Sequence, residues 1–64
     1  MTFGIKKFVN DSHEIYLEVD KNGIYKVTVY NLKYSFTEKE KQYFSAASAK
    51  SAFYREKRIV SNEK

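Results

Sequence analysis

The chain offers one histidine and no cysteine, so few of its residues can do proton or metal chemistry. His13 stands between Asp11 and Glu14, and three such side chains could graze a metal ion. The usual zinc site draws its ligands mainly from cysteine and histidine, and a second histidine and any thiolate are both missing. Glu14 and Glu18 share one side of an extended segment. Four residues of strand at ~3.4 Å each set them about 13 Å apart, beyond the roughly 5 to 9.5 Å spanned by paired glycosidase carboxylates. Gly4 and Gly23 are the only glycines, so no glycine-rich phosphate loop can form, and no nucleophile elbow occurs. His13 is accordingly read as a solvated turn residue. The chain is read as non-enzymatic, with no catalytic, cofactor-binding or metal-ligating residue assigned.

What remains are cations and rings. Twelve Lys and Arg against eight Asp and Glu leave a net charge of +4, and the surplus gathers at the C-terminal end. There Lys50, Arg55, Lys57, Arg58 and Lys64 face Glu56 and Glu63. A basic end attracts nucleic acid, an anionic membrane surface or an acidic protein, and it also complements the negative end of a helix dipole. Lys50, Tyr54, Arg55, Lys57 and Arg58 are the nucleic-acid-binding candidates, because on a helix their cations approach one another beside a ring.

The elements that must position these groups follow from periodicity. FGIKKFV (3–9), EIYLEVD (14–20) and IYKVTVY (24–30) alternate apolar and polar residues between turn formers, the pattern of a three-stranded antiparallel meander. Directly opposed residues must share a face, which sets the register. With Lys21-Asn22-Gly23 as a three-residue loop, Val19 opposes Tyr25, Leu17 opposes Val27 and Ile15 opposes Val29, while Glu18 meets Lys26 on the other face. Gly23 supplies the left-handed residue that such a loop needs. For the first hairpin, a five-residue loop over 10–14 opposes Val9 to Ile15, Lys7 to Leu17 and Ile5 to Val19. Lys7 then points inward, a guard against edge-to-edge pairing.

After Tyr30 the phase changes at Leu32, Tyr34 and Phe36, which suggests a bulge or bend near Tyr30-Asn31. Thr37-Glu38-Lys39-Glu40 matches a capping box, and residues 38–58 contain no Gly or Pro, so the first choice is one long helix from Glu38 to about Arg58. The alternative folds Leu32-Tyr34-Phe36 back on 42–46, giving a fourth strand at 42–46 and a shorter helix from about Ala47. The fold class is α+β: a three-stranded antiparallel meander packed against one C-terminal helix, as a single domain over 1–64.

On that helix Tyr43, Ala46, Ala49, Phe53 and Val60 form one side, with Ala47 and Tyr54 at its margin. Small residues there let the helix lie close to a sheet of large side chains. The same face, through Ala46, Ala49 and Phe53, leaves a homodimer open. A domain of 64 residues is marginal in size, and with no disulfide available its 11 aromatic side chains are the substitute source of buried area. No signal peptide or membrane span is evident, and the expected location is the cytoplasm.

In the derived register the sheet face away from the helix carries a Lys6–Glu18–Lys26 row beside Phe8–Tyr16–Thr28. Phe8, Tyr16, Lys6, Lys26 and Tyr30 are the protein-binding candidates, since exposed aromatics are enriched at interface cores. Glu14, Glu18 and Asp20 nearly balance the charge of this face, which argues against its holding nucleic acid. The expected function is a small binding protein acting through protein–protein contact as a regulator or inhibitor. Its size and surface suit a phage or mobile element acting against host nucleic-acid machinery, the anti-defence class that includes anti-CRISPR proteins. The alternative is a small DNA- or RNA-binding module using the basic C-terminal helix. No cofactor is expected, and no motif assigns the chain to a family.

Overall fold

In the computed structural model, which describes residues 2–62, the chain runs through β1 (Thr2–Val9), β2 (His13–Asp20), β3 (Tyr25–Asn31), β4 (Phe36–Tyr43) and α1 (Ala46–Asn62). The strands form one antiparallel sheet in the order β1-β2-β3-β4. Glu63 and Lys64, the last charges of the basic end, lie outside the described residues.

The β2–β3 hairpin has the expected register. Val19 opposes Tyr25, Leu17 opposes Val27, Ile15 opposes Val29 and Glu18 opposes Lys26. Gly23 takes φ 80°, a conformation that a Cβ would strain. The Asp20 carboxylate secures the loop by accepting the N–H groups of Asn22 at 2.8 Å and Ile24 at 3.0 Å.

The β1–β2 hairpin differs by one residue from its expected register. Val9 opposes Glu14, Phe8 opposes Ile15, Lys7 opposes Tyr16 and Lys6 opposes Leu17. The cause is Asn10, whose side-chain oxygen accepts the N–H groups of Ser12 at 2.9 Å and His13 at 2.8 Å. This Asx-type turn shortens the loop, and a one-residue slip sends every side chain to the opposite face. Phe8 therefore packs against the core, and Lys6, not Lys7, lies on the helix side. The register shifts again between Gly4 and Lys6, which brings Phe3 opposite Val19.

The fourth strand is β4, at Phe36–Tyr43 rather than 42–46, and it occupies the segment expected to begin a long helix. Glu and Lys favour helix locally, but β3 offers a free edge and the pairing overrides that preference. The turn into β4 is held by Asn31, whose side-chain oxygen accepts the Tyr34 N–H at 2.8 Å, and by Ser35 at φ 58°. The register shifts opposite Val29 and Tyr30, but the extra residue is Glu38 on β4; β3 pairs with β2 without interruption through Asn31, so the phase change after Tyr30 comes from the turn over 32–35 and not from a bulge at Tyr30-Asn31.

Ser45 caps the helix from just before its first residue, its hydroxyl accepting the Ser48 N–H at 3.2 Å. It buries Ala49, Ala52, Phe53, Glu56 and Val60. These apolar side chains complete a core with Ile15, Leu17, Val27 and Val29, against which Phe8, Tyr25 and Tyr43 also pack. Ala49 and Ala52 are 0% and 2% exposed, so the small residues lie where the helix meets the sheet. The helix lies over β2 and β3, meets β4 less closely and leaves most of β1 uncovered.

Candidate protein-binding site

Both sheet edges present unpaired backbone, and their side chains differ in kind. β4 exposes Phe36 at its start and then Glu38, Lys39, Glu40 and Lys41, and charges of this sort discourage strand pairing. Along β1, Phe3, Ile5 and Val9 remain 56%, 41% and 48% exposed. Lys6 and Lys7 stand between them. The shift around Ile5 borders a cleft of about 290 Å³ walled by Gly4, Ile5, Lys6, Lys7, Tyr16 and Glu18. The nearby helix flank adds Tyr54, with Lys6 Nζ 5.7 Å from its ring centroid, and Lys57, whose Nζ lies 5.3 Å from that of Phe8. This edge of the molecule thus combines apolar side chains and cations on both of its faces: Phe3, Lys6 and Lys57 on the helix side, Lys7 and Val9 on the other.

The sequence candidates are redistributed by the altered register. Tyr16, Lys26 and Tyr30 lie on the face away from the helix, as expected. Lys6 and Phe8 lie on the helix side, so the expected rows through them do not exist; Lys7 takes the place beside Tyr16, its Nζ 5.6 Å from the ring centroid. The Tyr16 hydroxyl donates to the Glu14 carboxylate, and this bond pushes the phenol's pKa up, aided by burial and by the negative charges of Glu14 and Glu18. Lys26 pairs with Glu40 at 3.5 Å. Glu14, Glu18, Asp20 and Glu40 outweigh Lys7 and Lys26, and this face is acidic rather than balanced.

The basic candidates spread around the helix. At 100° per residue, Lys50, Tyr54 and Lys57 fall on the flank toward β1, Arg55 on the flank toward β4, and Arg58 points away from the sheet. Lys6, Lys39 and Lys41 add to the cations on this side of the sheet, where the strand and helix carboxylates among the described residues are Glu38 and Glu56. Positive charge is therefore segregated to the helix side. Of the face considered for a homodimer, Ala49 and Phe53 are buried in the chain's own core and Ala46 is half-buried.

His13 is not a solvated turn residue. It opens β2 and is 5% exposed, with Nδ1 2.7 Å from Ser12 Oγ and Nε2 2.8 Å from Glu38 Oε2. Asn31 Nδ2 donates to the same Glu38 oxygen at 2.7 Å. The bonds from Asn31 and His13 hold the Glu38 carboxyl below its usual pKa, against the opposing effect of burial. One signal in the sequence pointed here: His13 has the parity of Ile15 and Leu17, hence the core face. Serine, imidazole and carboxylate stand in the order of a proton relay. The clefts beside β1 and β4 are walled by other residues, and the network's geometric role is to tie the first loop to β3 and β4.

Comparison with known proteins finds no matching family model, curated protein or solved structure. Among the described residues no helix is long and apolar enough to cross a membrane, and no group of three or more His, Cys, Asp or Glu is placed to hold a metal ion.

Proposed function

We propose that this chain is a non-enzymatic binding protein that acts through protein–protein contact, as a regulator or inhibitor of its partner, with β1 and the adjoining helix flank as the contact surface. The observation that carries this reading is the contrast between the two sheet edges. Glu38, Lys39, Glu40 and Lys41 line the middle of β4, with Phe36 exposed at its first residue, whereas β1 exposes Phe3, Ile5 and Val9 along its length, interrupted by Lys6 and Lys7. Exposed edges bearing apolar side chains are ordinarily avoided because they invite pairing, and apolar patches rimmed by polar groups mark interaction sites. Lys6 and Lys57 on the helix side of this edge, and Lys7 on its other side, favour a partner segment that combines apolar and acidic side chains, by charge complementarity.

A photocrosslinking amino acid at Phe3 tests the reading in lysate of cells that express the protein. The expected result is a discrete crosslinked species from position 3 and none from position 44, where Phe44 is also exposed but sits between β4 and α1. Equal, diffuse labelling from both positions would overturn it.

The segregated charge favours a second reading, a nucleic-acid-binding module using the helix. Lys50, Arg55 and Arg58 are exposed and have no carboxylate partner among the described residues. On this reading Arg55→Ala with Arg58→Ala sharply weakens DNA binding at low salt and flattens its salt dependence. An unchanged affinity would reject it.

A further inference from the structure

The helix sits off-centre on the sheet and leaves a cleft of about 390 Å³ between α1 and the β3–β4 hairpin. Its walls include the apolar Val27, Val29, Tyr43 and Ala52 together with Lys39, Lys41, Arg55 and Glu56. That volume is within the range of small-molecule sites, and the lining divides between four apolar residues and five charged ones, Glu40 included.

The charges are not evenly answered. Lys39 Nζ reaches both Glu56 oxygens, at 3.2 and 3.3 Å, and ties β4 to the helix. Glu40, which also borders the cleft, pairs with Lys26 at 3.5 Å. Lys41 and Arg55 have no carboxylate partner among the described residues; Lys41 Nζ lies 5.9 Å from the Tyr43 ring centroid. Two unanswered cations therefore border an opening whose wall includes core valines and an alanine. Neither a neutral apolar molecule nor a bare inorganic anion would use both features.

We propose that this cleft binds a small amphipathic anion, with its apolar body against Val27, Val29, Ala52 and Tyr43 and its carboxylate or sulfonate between Lys41 and Arg55. The site is separate from the β1 surface and does not depend on that surface binding a protein. Arg55 offers a planar fork suited to a carboxylate or sulfonate, and Lys41 adds a point charge. The Lys39–Glu56 pair keeps Glu56 from repelling the ligand.

The probe is 8-anilinonaphthalene-1-sulfonate, titrated by fluorescence into the full chain, with a cooperative thermal unfolding transition confirming that each sample is folded. The expected result is saturable enhancement whose affinity falls at least tenfold in the Lys41→Gln/Arg55→Gln double variant. Both positions are exposed, so the fold should survive the change. A Lys50→Gln/Arg58→Gln variant loses the same charge elsewhere and should keep the wild-type affinity. Octanoate should displace the probe, and 1-octanol at equal concentration should not. The proposal is overturned if the wild-type protein gives no saturable signal, if the two double variants behave alike, or if octanol competes as well as octanoate.

Discussion

Replacing Ala49 with leucine probes the packing on which the fold rests. Ala49 is 0% exposed and walls neither of the clefts beside β1 and β4, so a larger side chain has no open space into which to extend. Overpacking of this kind costs about 1–3 kcal/mol. At roughly 0.05–0.15 kcal/mol per residue, a chain of 64 residues has about 3–10 kcal/mol in total, so the substitution removes a large share of it. With a urea m-value of about 1 kcal/mol/M for a chain this small, the midpoint should fall by about 1–3 M. Ala47→Leu is the control: Ala47 is exposed on the same helix, and its replacement should stay within about 0.5 kcal/mol of the parent. Far-UV circular dichroism in urea, at two protein concentrations, measures both. If the parent midpoint rises with concentration and Ala49→Leu removes that dependence, the alanines lie between copies of the chain and not in the core of one. Equal midpoints for the parent and Ala49→Leu would refute it as well.

Two further predictions concern the loops. Gly23→Ala places a Cβ at φ 80° with nothing within 4 Å of it, so the cost is conformational alone, about 1–2 kcal/mol; a loss below a few tenths would mean that the loop relaxes. Glu38 has a folded pKa held below the usual 4.5, first by its bond from Asn31 and next by that from His13. A depressed carboxylate contributes stability above its unfolded pKa and loses it as pH falls through the folded value. The stability advantage of the parent over Glu38→Gln should therefore shrink as the pH drops below about 4.5. Urea midpoints between pH 3 and pH 7 read this directly, and a difference that holds constant down to pH 3 would contradict it.

The β2–β3 hairpin was legible because two requirements agreed. Opposed apolar residues demanded a three-residue loop, and Gly23 stood where such a loop needs positive φ. The first hairpin contained Asn10, a strong turn former, but alternation along β1 tolerates two registers: Lys6-Lys7 leaves one lysine inward in either. The side chain of Asn10, not the apolar pattern, made the choice. β4 was obscured because Thr37-Glu38-Lys39-Glu40 carries a true helix-start signature, and only the neighbouring edge of β3 makes it a strand. Glu56 was hidden for a related reason. A glutamate on the buried side of a helix is costly unless it is paired, and its partner Lys39 lies on the strand that the helix signature concealed.

The most direct test of the proposed binding surface is quantitative affinity capture from lysate with three immobilised proteins: the parent chain, Ile5→Lys and Arg55→Gln. Ile5 and Arg55 are both exposed, and they lie on opposite sides of the helix. A stoichiometric protein partner retained by the parent and by Arg55→Gln, and lost with Ile5→Lys, is the predicted result. A partner retained equally by all three, or none captured by the parent, would contradict β1 as the contact surface.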